Sequence, residues 1–362
     1  MKKQLIFLLA SAFFMLAASP AAAQPKNKTA SPAAKKKAVQ PAKKPALPPE
    51  VKETDYPCTI DNSKQKAMFF VAKGKQPRPL LVALHTWGGS YKQSCRYYAE
   101  YCVKNNWNFI FPHFRGPNWT PDACGSDKAV QDIADAVAYM KKIGKVDESR
   151  VYLMGGSGGG HATLLLAGRH PELWTAVSAW CPISDIAAWH DECLKDKRYK
   201  GYSMHIRKAC GGIPGENAQA KASAVKRSPL TYLANASGLK VDINAGIHDG
   251  HNGSVPVSHS LNAFNVLADA KDRLSKEDID FITREEKIPA TLGKAEKDPA
   301  FGRNVVHFRR QSRQVRVTVF EGGHTILYVP ALNWLSRQRR EKPADWSVGG
   351  KAKSAKAAEI FK

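Results

Sequence analysis

The chain has 362 residues, with 55 basic and 32 acidic side chains and a formal net charge of +23. Beyond an N-terminal leader, no stretch approaches the roughly 18 apolar residues that a spanning helix needs, which excludes a polytopic membrane protein. No repeat at a solenoid or propeller period is present, which excludes a repeat array.

The chain opens "MKKQLIFLLASAFFMLAASPAAAQ". Lys2 and Lys3 precede a short apolar run, and three alanines at 21 to 23 follow it. That order is a secretory leader, so residues 1–23 are expected to be removed and the protein exported to the periplasm or the exterior. Residues 24–52 hold mainly Ala, Pro, Lys and small polar side chains. They cannot bury enough apolar surface to offset their ordering entropy and read as a disordered linker. Residues 341–362 read as a similar basic tail. Ten lysines and one glutamate lie in residues 1–52, and eight basic and three acidic groups in 337–362, so +14 of the +23 sits at the two ends. Basic tails favour anionic cell-wall or membrane surfaces. Export argues against a nucleic-acid partner.

The span between, 53–340, reads as one catalytic domain. "AMFFVAKG" (67–74) is a strand. "PLLVALH" (79–85), "WNFIFPH" (107–113) and "RVYLMGG" (150–156) are continuous apolar runs, as expected of strands covered on both faces. "SCRYYAEYCVKNN" (94–106) is spaced as a helix. In "SDKAVQDIADAVAYMKKI" (126–143), Val130, Ile133, Val137 and Met140 share one helical stripe behind Ser126 as a cap. "GGHATLLLAGRH" continues as a helix, "TAVSAWCPIS" (175–184) and "LKVDINAG" (239–246) as strands. "SLNAFNVLADA" (260–270) is a helix and "QVRVTVFEGG" (314–323) a strand. Such alternation predicts an α/β fold, a mostly parallel sheet with helices on both faces. Residues 190–235 break the rhythm and read as a lid-like insertion. Export permits disulfides among the seven cysteines. Cys193 and Cys210 flank the insertion and are placed to staple it, whereas Cys95 and Cys102 share a helix face as small buried side chains.

"LMGGSGGGH" (153–161) holds five glycines between a buried strand and an apolar helix. A phosphate loop needs lysine where His161 stands, and no register gives GxGxxG. GxSxG fits, as Gly155, Ser157 and Gly159, with the serine hydroxyl presented on a sharp strand-to-helix turn. Gly158 then offers a backbone N–H to an oxyanion at a helix N-terminus. A serine nucleophile needs a base held by an acid. His324 in "EGGHT" is the candidate base. Asp249 in "AGIHDGHNGSVP" is the candidate acid, and Asp185 its rival. "LHTWGG" (84–89) offers the Trp87 N–H as second oxyanion donor, with His85 structural. Arg115, Asn118 and Trp119 in "FRGPNW", together with His161, are candidates for substrate contact; Arg115 reads equally as an ion-pair partner. No metal ligand spacing and no cofactor motif is found.

With "LHTWGG", "FRGPNW", "GGSGGGH", "DGHNGSVP" and "EGGHT" in this order, the chain resembles an α/β-hydrolase of the prolyl-oligopeptidase-like group over about residues 65–335. The resemblance implies a triad of Ser157, Asp249 and His324. The group includes secreted acetylxylan and feruloyl esterases, and large oligopeptidases whose propeller has no room here. Three functions remain open. The first is ester hydrolysis, with acyl groups on polysaccharide as substrate and an acyl-enzyme intermediate. The second is prolyl-oligopeptidase-like serine peptidase activity, and the third non-catalytic binding of an anionic polymer.

Overall fold

A computed structural model describes residues 46–293 and 297–348. The expected leader, most of the expected linker and residues 349–362 lie outside the described residues.

Among the described residues nine strands form one sheet: β1 (Lys52–Pro57), β2 (Lys64–Phe70), β3 (Arg78–Leu84), β4 (Asn108–Pro112), β5 (Val146–Gly156), β6 (Ala176–Trp180), β7 (Lys240–Gly246), β8 (Val306–Ser312) and β9 (Val315–Phe320). Their order is β1-β2-β4-β3-β5-β6-β7-β9-β8. From β4 to β9 all neighbours run parallel, and the edge pairs β1/β2, β2/β4 and β8/β9 run antiparallel.

Side chains alternate across a strand, so a strand covered on both faces is apolar along most of its length. Leu80, Val82 and Leu84 of β3 enter one core, while Leu81 and Ala83 enter the other. Val151 and Leu153 of β5 join the first, Tyr152 and Met154 the second. The first core is closed by α2 (Asp127–Ile143), α3 (Gly158–Arg169), α7 (Ser258–Leu267) and α8 (Lys276–Glu285). The second is closed by α1 (Arg96–Asn105) and α9 (Tyr328–Arg337). The stripe Val130, Ile133, Val137 and Met140 faces the sheet, and Ser126 Oγ accepts from Ala129 N at 3.1 Å. Helix α3 is apolar all round because it is buried all round, with Leu233 packed in the same core.

The insertion folds as α4 (Ile186–Lys195), α5 (Lys200–Cys210) and α6 (Ala218–Arg227). Trp189, Cys193, Ile206, Cys210 and Ala224 form a third apolar cluster that takes in Trp87 and Val255. The expected Cys193–Cys210 staple is absent. All seven cysteines are buried thiols, and these two fill apolar volume in the shared cluster.

Both domain boundaries shift outward. Residues 46–52 belong to the fold rather than to a linker: Leu47 packs on the second core, Val51 is buried and β1 starts at Lys52. Residues 341–348 are not a free tail. The Trp346 ring stacks on Trp334 at 5.1 Å and 10°, and the Arg316 guanidinium lies over the Trp346 ring at 4.8 Å from its centroid. One tryptophan carries enough apolar area to anchor a polar segment.

Candidate active site

Ser157 stands between β5 and α3 with φ 57° and ψ −123°, a conformation that L side chains rarely adopt. Its flanking glycines permit the turn. A Cβ on Gly155 would lie 2.4 Å from the Gly159 carbonyl oxygen, and one on Gly159 would lie 2.7 Å from that of Leu84. A Cβ on Gly158 would lie 2.5 Å from Trp87 N, so the peptide groups of Gly158 and Trp87 are neighbours. Neither N–H has an acceptor among the described residues.

Asp249 follows β7 and is buried. Its Oδ1 accepts from Gly250 N at 3.1 Å and Val255 N at 3.2 Å. Its Oδ2 accepts from His324 Nδ1 at 2.7 Å. That bond assigns the proton to Nδ1 and leaves Nε2 as a lone-pair acceptor. Nε2 is buried and has no hydrogen-bond partner among the described residues. Ser157 and His324 line one cavity of about 410 Å³ with Thr86, Trp87, Cys181 and Tyr202. A strained hydroxyl, an oriented imidazole and two free N–H donors thus meet at one opening. The rival Asp185 is occupied elsewhere: its Oδ1 caps α4, accepting from Ala187 N at 2.9 Å and Ala188 N at 3.0 Å.

Three residues expected at the substrate are held away from the cavity by other partners. Arg115 binds Asp132 and Asp61 through four hydrogen bonds of 2.7–3.1 Å. Its ion-pair reading is therefore the one observed. Asn118 is buried, with its Oδ1 accepting from Cys124 N at 2.9 Å and its Nδ2 donating to Trp87 O at 3.2 Å. It fixes the loop that carries the Trp87 donor. His161 is fully buried and its Nε2 donates to Arg227 O at 2.7 Å. Burial pushes its pKa down to about 4. Trp119 remains at the surface, 36% exposed, with its ring 4.8 Å from that of His205. His85 is structural as expected: its nitrogens lie 2.9 and 2.8 Å from the carbonyls of Thr86 and His113, and its ring stacks on Phe114 at 3.8 Å.

The insertion supplies residues that the sequence reading missed. Tyr202 of α5 lines the cavity, and the Trp87 indole packs 4.7 Å from Trp189 and donates to His205 Nδ1 at 3.3 Å. No local pattern marks Tyr202. Cys181 was legible only by its place just past β6, where ligands of such sheets gather.

Residues 113–280 match the model of the prolyl oligopeptidase family. That segment is less than half of the chain; over it the chain is similar to a prolyl oligopeptidase family domain, and its fold is that of the α/β-hydrolases. The chain is 29% identical over 133 residues to acylamino-acid-releasing enzyme 1 of Oryza sativa subsp. japonica, a match covering 34% of the chain and 17% of that enzyme. A Pyrococcus horikoshii acylaminoacyl peptidase superposes with a TM-score of 0.56 at 14% identity, over 86% of this chain and 44% of the peptidase. An acylaminoacyl peptidase bound to Z-Gly-Gly-Phe-chloromethyl ketone gives 0.57 at 15% identity, with the same coverage. The chain therefore spans less than half the length of these relatives.

Proposed function

We propose that the protein is a serine peptidase that removes N-acylated amino acids from short peptides through an acyl-enzyme intermediate. The observation that carries it is the 2.7 Å Asp249–His324 bond in the same cavity as the strained Ser157. In this reading Ser157 attacks the scissile carbonyl, and His324 Nε2 takes its proton and returns it to the leaving amine. Asp249 stabilises the imidazolium. The N–H groups of Trp87 and Gly158 bind the oxyanion. The names of the relatives favour acylated peptides over the polysaccharide esters that the sequence alone put first. An ester leaving group needs less protonation, so the same triad also accepts activated esters.

The test pairs a fluorophosphonate probe with a substrate panel. The probe should label the wild-type protein and not Ser157→Ala, and hydrolysis should fall by about 10⁴-fold or more in that variant. N-acetylalanyl p-nitroanilide should be cleaved faster than the free-amine analogue. Cleavage of feruloylated sugars but of no peptide would overturn the peptidase reading, and labelling of Ser157→Ala would overturn the nucleophile.

A further inference from the structure

A thiol stands beside the acid–base pair, and the reaction above makes no use of it. Cys181 follows β6 with φ 45°, and its N–H donates to Asn244 O at 2.7 Å, which ties this turn to β7. Its Sγ is 3.5 Å from Thr325 O, in the loop that carries His324. Ligand atoms of Cys181, Asp249 and His324 all lie within 4.8 Å of one another. Cys181 and His324 also line the cavity, which gives a path from solvent.

We propose that Cys181, Asp249 and His324 form an inhibitory site for a thiolate-binding divalent metal ion of the zinc class. A set of one sulfur, one imidazole nitrogen and one carboxylate oxygen suits zinc, cadmium or cobalt(II) and not magnesium or calcium. Three protein ligands leave a fourth tetrahedral position for water. Bonds of roughly 2.3 Å to sulfur and 2.0–2.2 Å to nitrogen and oxygen put ligand atoms about 3.3–3.6 Å apart, so side-chain shifts of about an ångström complete the site.

The chemistry of inhibition follows from the proton count. The ion replaces the thiol proton, releasing one H⁺ to solvent as the metal–sulfur bond forms. Burial, then the charge of Asp249, pushes the Cys181 thiol well above its ordinary value, so without metal it stays protonated and is no rival nucleophile. If the ion takes Nδ1 of His324, the ring proton moves to Nε2, which then has no lone pair for the Ser157 hydroxyl. If it takes Nε2, that lone pair is used directly. Either way the base is lost. The inhibition rests on His324 acting as proposed above; the binding does not.

Cobalt(II) separates the two. Added to the full-length metal-free protein, it should give one equivalent of thiolate-to-cobalt charge-transfer absorption in the near ultraviolet. The band should persist in Ser157→Ala and vanish in Cys181→Ser and Cys181→Ala. Zinc should inhibit the wild type reversibly, with activity restored by EDTA. Each cysteine variant, read against its own metal-free rate, should need on the order of 100-fold more zinc for half inhibition. A band unchanged in both cysteine variants, or equal zinc sensitivity in them, would overturn the site. If the band behaves as expected while Ser157→Ala retains activity, the functional reading fails and the metal site stands.

Discussion

Asp249 and Asp185 carry the same side chain beyond neighbouring strands, and their partners alone separate them. Asp249 holds His324, whereas Asp185 caps α4. Asp249→Asn should therefore lower kcat/KM on the acylated anilide by about 10⁴-fold, through the wrong imidazole tautomer. Asp185→Ala should keep the rate and lose about 1 kcal/mol of stability, read from urea melts. His161 makes a prediction of another kind. It is buried neutral, and burial sets its pKa near 4. The unfolded chain takes up the proton near pH 6.5, so between those values it binds more protons than the native state. The contribution of His161 is fully present above about pH 6.5 and is lost as pH falls through about 4, a change of about 3 kcal/mol at most. His85, also pushed by burial to about 4, acts in the same direction. Melting curves from pH 4 to 7 should show this slope, and His161→Gln, which keeps a donor for Arg227 O, should reduce it.

Strands β3, β4, β5, β6, β7 and β9 were legible because strands covered on both faces are mostly apolar; their buried polar exceptions pair inside the sheet, as Arg316 does with Asp242 at 2.8 Å. Edge strands were not. In β1, "KETDYP", only Tyr56 is buried. In β8, "VHFRRQS", Arg309 pairs with Asp298 at 2.9 Å and lies over the Phe301 ring at 5.4 Å. Such arginines read as loop until their partners are known. The same holds for residues 341–348, where the composition is polar and a single ring decides the structure. Trp346→Ala should remove the stack on Trp334 and the Arg316 contact, lowering stability by about 1–3 kcal/mol in thermal or urea melts. Unchanged melting would mean that this segment contributes nothing to the fold.

At the scale of the whole molecule, charge and fold are separable. Residues 1–45 hold nine lysines and no acidic group. A protein beginning at Ala46 should keep its melting temperature and its rate on the anilide, and should leave a sulfated or phosphorylated anionic resin at lower salt. Loss of folding would overturn that separation. The order of buried strands, the elbow at Ser157 and the candidates His324 and Asp249 came from the sequence by itself, because hydrophobic period and turn chemistry are local. The choice between Asp249 and Asp185 was decided only by tertiary structure. So were the removal of Arg115, Asn118 and His161 from the cavity, and the meeting of Cys181 with the acid–base pair. Each depends on which strand ends lie side by side, and hydrogen-bond partners distant in the chain leave no local trace in it.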